Sequence, residues 1–308
     1  MTSAVVAVIT HSRPKGLERL LVALSKQKVG KPHDVQVLVV DNACDPEIRT
    51  LVDGIGQTCP FQLTYSEEAR RGIVAARNRC VDIFLQTDAE CLLFIDDDSW
   101  PVGDDWIQSM IDARSEFNAD IVAGGVRSLS GAGAPGWANH IIHDFGGRAD
   151  GTIVRAFYTS NLLISRTVLE RVSPAFDSRF DMTGGSDYHF SVKCSKAGFK
   201  AVYADAQVEE EFPRSRANVR WFLLRGYRSG IADTRAHIIE DGLAVALTRS
   251  AFMASVRFAR GVSFLGFGLL TVSKARLVNG LFRIASSAGT VAGYFGATHR
   301  EYDVIHGS

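Results

Sequence analysis

The apolar residues 91–95 are followed directly by three aspartates, Asp96, Asp97 and Asp98. An apolar run of this length predicts a buried strand, whose end delivers three carboxylates to one edge of a sheet. Carboxylates this close repel each other, and a divalent cation bound by their oxygens would relieve the repulsion. Because such cations complete their coordination with substrate phosphates, the segment favours a metal-dependent site for a phosphate-bearing ligand. The alternative is an acidic turn that solvates a strand end.

The composition is that of an ordinary globular protein. The chain has 308 residues, of which 46% are hydrophobic and 22% charged, enough for one large domain or two smaller ones. Its five cysteines are scattered without a CxxC pair, so we expect neither a zinc site nor a disulfide framework. The scattered cysteines fit a reducing compartment. No basic leader precedes the first apolar run, and no signal peptide is expected.

Apolar runs alternate with helical patterns over the first 126 residues. The predicted strands are 5–10, 35–40, 62–66, 92–95 and 120–123. Continuous apolar strands between helices imply an α/β, Rossmann-like and mostly parallel sheet with helices on both faces. Ligands of such sheets bind beyond the carboxyl ends of the strands, where Asp41 and Asp96 both stand, so these two positions should converge.

The connections between these runs carry further signals. Ser12 is predicted to cap the first helix, which buries leucines at helical spacing, namely Leu17, Leu20, Leu21 and Leu24. Residues 128–150 are rich in glycine and predict a long loop, followed by strands at 159–165 and 199–204.

A second acidic position, Asp187, follows Gly184 and Gly185 at the start of a predicted helix. Two adjacent glycines let the backbone bend sharply before the helix begins. From these residues alone, helix capping is the favoured role for Asp187, because aspartate is preferred at helix N-termini.

Five segments follow one another in a characteristic order: VITHSRP at 8–14, VVDN at 39–42, GIVAARN at 72–78, FIDDD at 94–98 and GGSD at 184–187. In this order the chain resembles the family 2 glycosyltransferases of the GT-A fold, from residue 5 to about residue 230. The pattern EEEFP at 209–213 is similar to that of a subgroup that builds bacterial exopolysaccharides such as succinoglycan.

The resemblance implies a role for particular residues. Asp187 takes the place of the catalytic base of the family's Gly-Glu-Asp motif, although Ser186 replaces the glutamate. Asp98 and Asp96 would hold Mn²⁺ or Mg²⁺. A glutamate, Glu210 or Glu211, would replace the family's histidine ligand, and a solvated acidic turn is an equal alternative. The residues expected to bind the donor nucleotide are Thr10, Arg13, Asp41, Arg77, Asp96 and Asp97; for Arg77 a plain surface position remains an alternative.

The implied activity is an inverting, metal-dependent glycosyl transfer. A nucleotide sugar, with a UDP-sugar favoured, would donate to a hydroxyl of a glycan or lipid-linked saccharide in bacterial surface polysaccharide synthesis. One alternative is a degenerate, non-catalytic nucleotide-sugar-binding protein at the membrane, to which Ser186 gives some weight. Another is a nucleotide-sugar-synthesising enzyme, although the phosphate loop GxxxxGK[ST] is absent.

The charge of the chain is segregated. Residues 242–300 contain seven basic residues and no acidic one. We expect a GT-A domain at 1–235 and a basic helical extension at 236–308. The uncharged run 262–272 is shorter than the ~20 residues that span a bilayer, so an amphipathic segment on an anionic membrane surface is favoured, on the cytoplasmic face. The alternative is a helical hairpin packed on the catalytic domain or a second subunit. No pattern indicates a nucleic-acid partner.

Overall fold

The computed structural model describes residues 2–30, 33–131, 135–138, 147–181 and 183–297. Within them, one sheet has the strand order β3-β2-β1-β4-β7-β6-β8-β5. Its strands are β1 (Ser3–Thr10), β2 (Asp34–Asp41), β3 (Gln62–Glu67), β4 (Cys91–Asp96), β5 (Ser99–Pro101), β6 (Ile121–Ser130), β7 (Asn161–Ser165) and β8 (Ala201–Phe212).

The sheet is mixed, with a parallel half. Strands β1 to β4 run parallel to their neighbours in that half, and β6 runs parallel to β8. Strand β7 is antiparallel to both β4 and β6, and the short β5 is antiparallel to β8. The predicted α/β sheet is therefore confirmed, with two antiparallel strands in its second half, β7 inside the sheet and β5 at its edge.

Helices cover both faces of the sheet. They are α1 (Pro14–Leu24), α2 (Pro46–Gly56), α3 (Ile73–Leu85), α4 (Trp106–Glu116), α5 (Arg166–Arg171), α6 (Ser186–Lys196), α7 (Val219–Asp241), α8 (Leu243–Leu270) and α9 (Lys274–Tyr294). Alternate residues of β1 separate the two cores, because successive side chains of a strand point to opposite faces. Val6 and Val8 pack with α1, α2 and α4, whereas Val5 and Ala7 pack with α3, α5 and α6.

The start of α1 differs from the prediction. The capping position is Arg13 and not Ser12, and no side chain caps the helix. Ser12 turns the chain with a φ of 53°, and Pro14 then fixes the first helical residue. The buried leucine face is confirmed, since Leu17 and its three partners are at most 1% exposed.

The predicted loop at 128–150 is wrong at its beginning. Strand β6 continues through Ser130 because it pairs with β8 as far as Phe212, beyond a register shift between Gly124 and Val126. Strand β8 is correspondingly longer than the predicted 199–204. Residues 132–134 and 139–146 of the predicted loop lie outside the described residues.

Three long helices complete the described chain. Helix α9 packs along both α7 and α8, at glycines that let the backbones touch. A Cβ on Gly230 would overlap the Ser286 carbonyl oxygen, and one on Gly289 would overlap that of Tyr227. The predicted boundary after residue 235 falls inside α7, so the extension is continuous with a helix of the catalytic region. Helices α8 and α9 thus form a helical hairpin that packs on α7.

Helix α8 is longer than the uncharged run 262–272 suggested. It has 28 residues, and it is the one helix among the described residues that is long and apolar enough to cross a membrane by length and composition. The inference that the apolar run is too short therefore does not hold for the whole helix. Its inner face is small, consisting of Ala246, Ser250, Ala254, Gly261 and Gly268. Large apolar side chains on its other faces, such as Phe252 and Leu270, are exposed.

Candidate active site

The carboxyl ends of β1 and β4 open onto a cavity of about 860 Å³. Thr10 ends β1, Asp96 ends β4, and both side chains line the cavity. Asp187, in the first turn of α6, lines it as well. The topology thus brings the acidic strand end and the predicted base, 91 positions apart in the chain, into one cavity.

Two of the three aspartates are held by neighbours. Asp97 is buried and accepts hydrogen bonds from Thr10 Oγ1 at 2.8 Å and Arg13 Nη1 at 3.1 Å. Burial raises the pKa of Asp97 to about 6, although Arg13 opposes the change. The same Arg13 nitrogen lies 3.0 Å from Asp98 Oδ2. Thr10 and Arg13 therefore fix the acidic segment through Asp97, and Asp98 lines the cavity beside it.

Asp96 has a different environment. It faces the cavity, and no described residue donates a hydrogen bond to its carboxylate. Burial, together with the charge of Asp98, raises the pKa of Asp96 to about 7. A carboxylate that is costly to ionise and has no donor is one that a bound cation would stabilise.

Strand pairing distinguishes Glu210 from Glu211, the two candidates for the glutamate ligand of the metal. Glu210 lies opposite Ser99 of β5 and Ser128 of β6, and the Ser128 hydroxyl donates to Glu210 Oε1. Burial and the nearby charge of Asp98 raise the pKa of Glu210. Glu211 points the other way, is 58% exposed, and lies 3.6 Å from Arg19. Glu210 therefore reaches the cavity and Glu211 does not.

The oxygen ligands present fit a hard cation that arrives with its substrate. Among the residues that the structure describes, no group of three or more His, Cys, Asp or Glu side chains is placed to hold a metal ion by itself. The carboxylates at the cavity lie near one another, since the charges of Asp98 and Glu210 raise the pKa of Asp96, and the charge of Asp98 raises the pKa of Glu210. Mg²⁺ and similar ions are bound by one or two carboxylates plus substrate phosphates, which matches this arrangement.

Arg77 is a buried residue of α3 and not a surface arginine. Its Nη1 donates to Ser186 Oγ at 2.7 Å, and its guanidinium lies 5.5 Å from the centre of the Phe176 ring. Ser186 thus positions Arg77 through a neutral hydroxyl. A glutamate at this position would neutralise the arginine, whereas serine leaves its charge available to an anionic ligand.

The turn before α6 places Asp187. Gly184 and Gly185 have φ values of 72° and 88°, and a Cβ on Gly185 would lie 2.6 Å from Ala232 Cβ of α7. Gly185, not Asp187, is the capping residue. Asp187 Oδ1 accepts a hydrogen bond from the Tyr188 N–H at 2.8 Å, and the side chain lines the cavity.

The structure does not bring the Asp41 carboxylate into the cavity with Asp96. Asp41 is fully buried and accepts hydrogen bonds from the backbone of Ala43 at 2.8 Å and Asp45 at 2.6 Å, and from Tyr65 Oη at 3.0 Å. Its neighbour Asn42 lines the cavity instead. The convergence predicted for Asp41 and Asp96 thus holds for the strand ends but not for both side chains.

Two arginines that line the cavity were not predicted as site residues. Arg216, in a 3₁₀ turn after β8, and Arg225, in α7, both line the cavity. Burial lowers the pKa of Arg216, and the charge of Asp98 opposes this. The available signal was the presence of five arginines between residues 214 and 228. Because the turn interrupts the helical period, their spacing does not show which of them face inward.

Comparison with known proteins agrees with this geometry. The chain superposes on the solved structure of the mannosyltransferase PcManGT from Pyrobaculum calidifontis, in complex with GDP-Man and Mn²⁺, with a TM-score of 0.61 and 18% sequence identity. The alignment covers 94% of this chain and 86% of PcManGT. For S. aureus TarS 1-349 with UDP, the TM-score is 0.54 at 15% identity, covering 95% and 92%. The fold is therefore GT-A, as predicted.

Sequence similarity identifies the family. Residues 5–173 match the profile of glycosyl transferase family 2. The chain is also 30% identical over 291 residues to the succinoglycan biosynthesis protein ExoM of Rhizobium meliloti (strain 1021), covering 90% of this chain and 92% of that protein. The chain belongs to glycosyl transferase family 2.

Proposed function

We propose that this enzyme is an inverting, metal-dependent glycosyltransferase of bacterial exopolysaccharide assembly. It moves a sugar from a nucleotide sugar, with a UDP-sugar favoured, to a hydroxyl of a glycan or lipid-linked saccharide. The observation that carries the proposal is the shared cavity, in which Asp187 faces the same space as Asp96 and Asp98. A diphosphate bound by the acidic strand end leaves the sugar between the two groups.

The acidic strand end is the proposed metal site. Asp98, Asp96 and Glu210 would hold Mn²⁺ or Mg²⁺, and the cation, when bound, stabilises the negative charge of the leaving diphosphate. Arg77, Arg216 and other arginines of the cavity add positive charge on the same space. Electrostatic stabilisation of this kind acts where charge develops and is a large share of catalysis.

Asp187 is the proposed general base. Its carboxylate accepts the proton of the acceptor hydroxyl as that oxygen attacks the anomeric carbon. A single displacement from the side opposite the leaving group inverts the configuration at that carbon. Among the described residues, the backbone donates to Oδ1 of Asp187 alone, which leaves Oδ2 for the acceptor.

The donor contacts follow from what each predicted residue touches. Thr10 and Arg13 act by fixing Asp97, and Arg77 contacts the diphosphate. Asp41 acts indirectly, by holding the turn at residues 43–45 under the nucleoside. The neighbours in complex with GDP-Man and with UDP support a nucleotide-sugar donor for this chain.

The helical extension is proposed to bind the cytoplasmic membrane surface from the side. Helix α8 lies with its small residues against α9 and its apolar side chains outward, so it would enter the interface parallel to the membrane. The absence of acidic residues from 242 to 300 favours anionic lipid head groups. This location suits an acceptor that is itself linked to a lipid.

The test of the proposed function uses the Asp187→Asn variant with radiolabelled nucleotide sugars and Mn²⁺. Wild-type protein is expected to release nucleotide from one of the sugars, and the variant to bind that donor without transferring it. Transfer by Asp187→Asn at the wild-type rate would remove Asp187 as the base. No hydrolysis or transfer of any donor by the wild type would instead favour a non-catalytic binding protein.

A further inference from the structure

The cavity extends beyond the part of the chain that matches the family profile. That match ends at residue 173, yet all three C-terminal helices contribute to the cavity wall. Helix α7 contributes Ser229 and Asp233, α8 contributes Arg257, and α9 contributes Arg283 and Ser286. The extension is therefore a structural part of the site, in addition to any role at a membrane.

Arg257 joins the three helices at this wall. Its Nη2 pairs with Asp233 Oδ2 of α7, and its Nη1 donates to Thr290 Oγ1 of α9 at 2.6 Å. The side chains of Asp233 and Arg257 keep 22% and 19% of their surface exposed, and both line the cavity. The pair is thus fixed in position but remains able to bind a polar ligand.

Asp233 lies close to the proposed base. Ala232, the residue before it, packs against Gly185, two residues before Asp187. Burial raises the pKa of Asp233, Arg257 opposes the change, and the charge of Asp187 adds to it. Asp233 therefore belongs to the side of the cavity near the proposed base.

An aromatic ring completes this side. Tyr158 lines the cavity and is 40% exposed. Burial, together with the charges of Asp187 and Asp233, raises the pKa of Tyr158, and all three side chains line the same cavity. The Asp233 carboxylate can accept hydrogen bonds from two sugar hydroxyls, and the Arg257 guanidinium can donate to further sugar hydroxyls. The Tyr158 ring can pack on the apolar face of a sugar.

We propose that Asp233, Arg257 and Tyr158 form the binding subsite for the acceptor saccharide beside Asp187. The inference rests on the proposed glycosyl transfer and assigns the acceptor to the helical extension. The donor is bound where the strands end, whereas the acceptor is selected by side chains of α7 and α8. Arg257 acts as a positioning residue, because it holds the Asp233 carboxylate and joins α7 to α9.

The test compares Arg257→Gln with Arg260→Gln, which removes the same charge from an exposed position of the same helix. The probes are octyl β-glucoside, octyl β-galactoside and octyl β-N-acetylglucosaminide as acceptors, with the donor that wild-type protein hydrolyses and Mn²⁺. We expect Arg257→Gln to raise the KM for the acceptor at least tenfold while the KM for the donor changes less than twofold. Arg260→Gln should match the wild type in both.

Two further variants separate binding from folding. Arg257→Lys keeps the charge beside Asp233 and should recover part of the acceptor KM. Tyr158→Ala lies outside α7, α8 and α9 and should raise the acceptor KM without lowering the thermal unfolding temperature of the protein. An unchanged acceptor KM in Tyr158→Ala and in folded Arg257→Gln would overturn the subsite, as would an equal rise in the KM for the donor.

The wild-type protein distinguishes this subsite from the proposed function. Donor hydrolysis without transfer to any of the three glycosides would overturn the subsite and leave the glycosyltransferase assignment standing. If wild-type protein neither bound nor hydrolysed any nucleotide sugar, that result would contradict the proposed function itself.

Discussion

The two sides of the cavity are built in different ways. On the side formed by the strand ends, Thr10 and Arg13 hold Asp97 through short hydrogen bonds within a continuous sheet. On the side formed by the helices, Asp233 and Arg257 are held by long helices that touch at glycines. The first side depends on strand register, and the second depends on how closely three helices approach. The proposed donor side therefore depends on the sheet, whereas the proposed acceptor side depends on the packing of the helices.

The largest expected effect separates chemistry from binding across this comparison. Asp187→Asn removes the proposed base, and general-base catalysis contributes about 10²- to 10⁴-fold, so kcat should fall by that factor. The Kd for the Mn²⁺–nucleotide complex should stay within twofold, because the acidic strand end is untouched. Single-turnover transfer and calorimetry measure the two quantities. A matched loss of nucleotide affinity would mean that the two sides are not separable.

A packing variant tests whether the helical side depends on close approach. Gly289→Ala places a methyl group against the Tyr227 carbonyl oxygen, and overpacking of this kind costs about 1–3 kcal/mol. Gly266→Ala is the matched control, because nothing lies within 4 Å of a Cβ there and alanine favours a helix by up to about 1 kcal/mol. Urea unfolding measures both. Equal stability of the two variants would contradict the described contact of α7 with α9.

The strand-end side should respond to pH. Without a cation, the raised pKa values of about 7 for Asp96 and about 6 for Asp97 mean that the folded state holds protons which the unfolded state has lost. Stability from these groups is fully present below the ordinary carboxyl pKa of 3.8 and is lost as the pH rises from there through 6 to 7. A cation needs the ionised carboxylates, so stabilisation by Mn²⁺ and UDP should grow over the same interval.

Thermal unfolding at pH 5.5 and pH 8 measures this change. We expect the affinity for Mn²⁺ with UDP to be about thirtyfold weaker at the lower pH, from proton competition at a group with a pKa of about 7. The shift in unfolding temperature on adding both should therefore be smaller at pH 5.5. A shift of the same size at both values would exclude Asp96 as a group that loses its proton on binding.

The smallest expected effect concerns the outer face of α8. Phe252 is 68% exposed, and Phe252→Ser removes apolar surface worth roughly 1.5–3 kcal/mol when buried. Flotation with anionic liposomes should decrease several-fold, with little change in folding stability. Val22→Ser on α1 serves as the control, since Val22 is exposed on a different part of the protein. Equal flotation of Phe252→Ser and the wild type would argue against α8 as the membrane-binding face.

The same two sides differ in how far sequence predicted them. The apolar runs of β1, β2 and β4 were recognised to within two residues, because a buried parallel strand leaves a continuous apolar pattern. The position of the acidic residues at one edge of the sheet followed from the predicted parallel topology. Asp41 was the exception, since its carboxylate is taken by the turn after its own strand, which no spacing reveals.

The helical side was predicted less completely. A charge count showed that the extension is basic, but Arg257 is paired with Asp233 across two helices, and a sequence does not show which residues of separate helices meet. Arg216 was missed because its direction is set by a three-residue 3₁₀ turn. The length of β6 was missed because its partner strand lies about 80 residues further along the chain.

Calorimetric titration of UDP and GDP into wild-type protein and Asp98→Asn, with Mn²⁺ and with EDTA, tests the proposed metal site most directly. We expect wild-type protein to bind one nucleotide with Mn²⁺ and to lose that binding in EDTA, and we expect Asp98→Asn to bind weakly under both conditions. Nucleotide binding of equal strength in EDTA, or unchanged by Asp98→Asn, would contradict a cation held between the acidic strand end and a diphosphate.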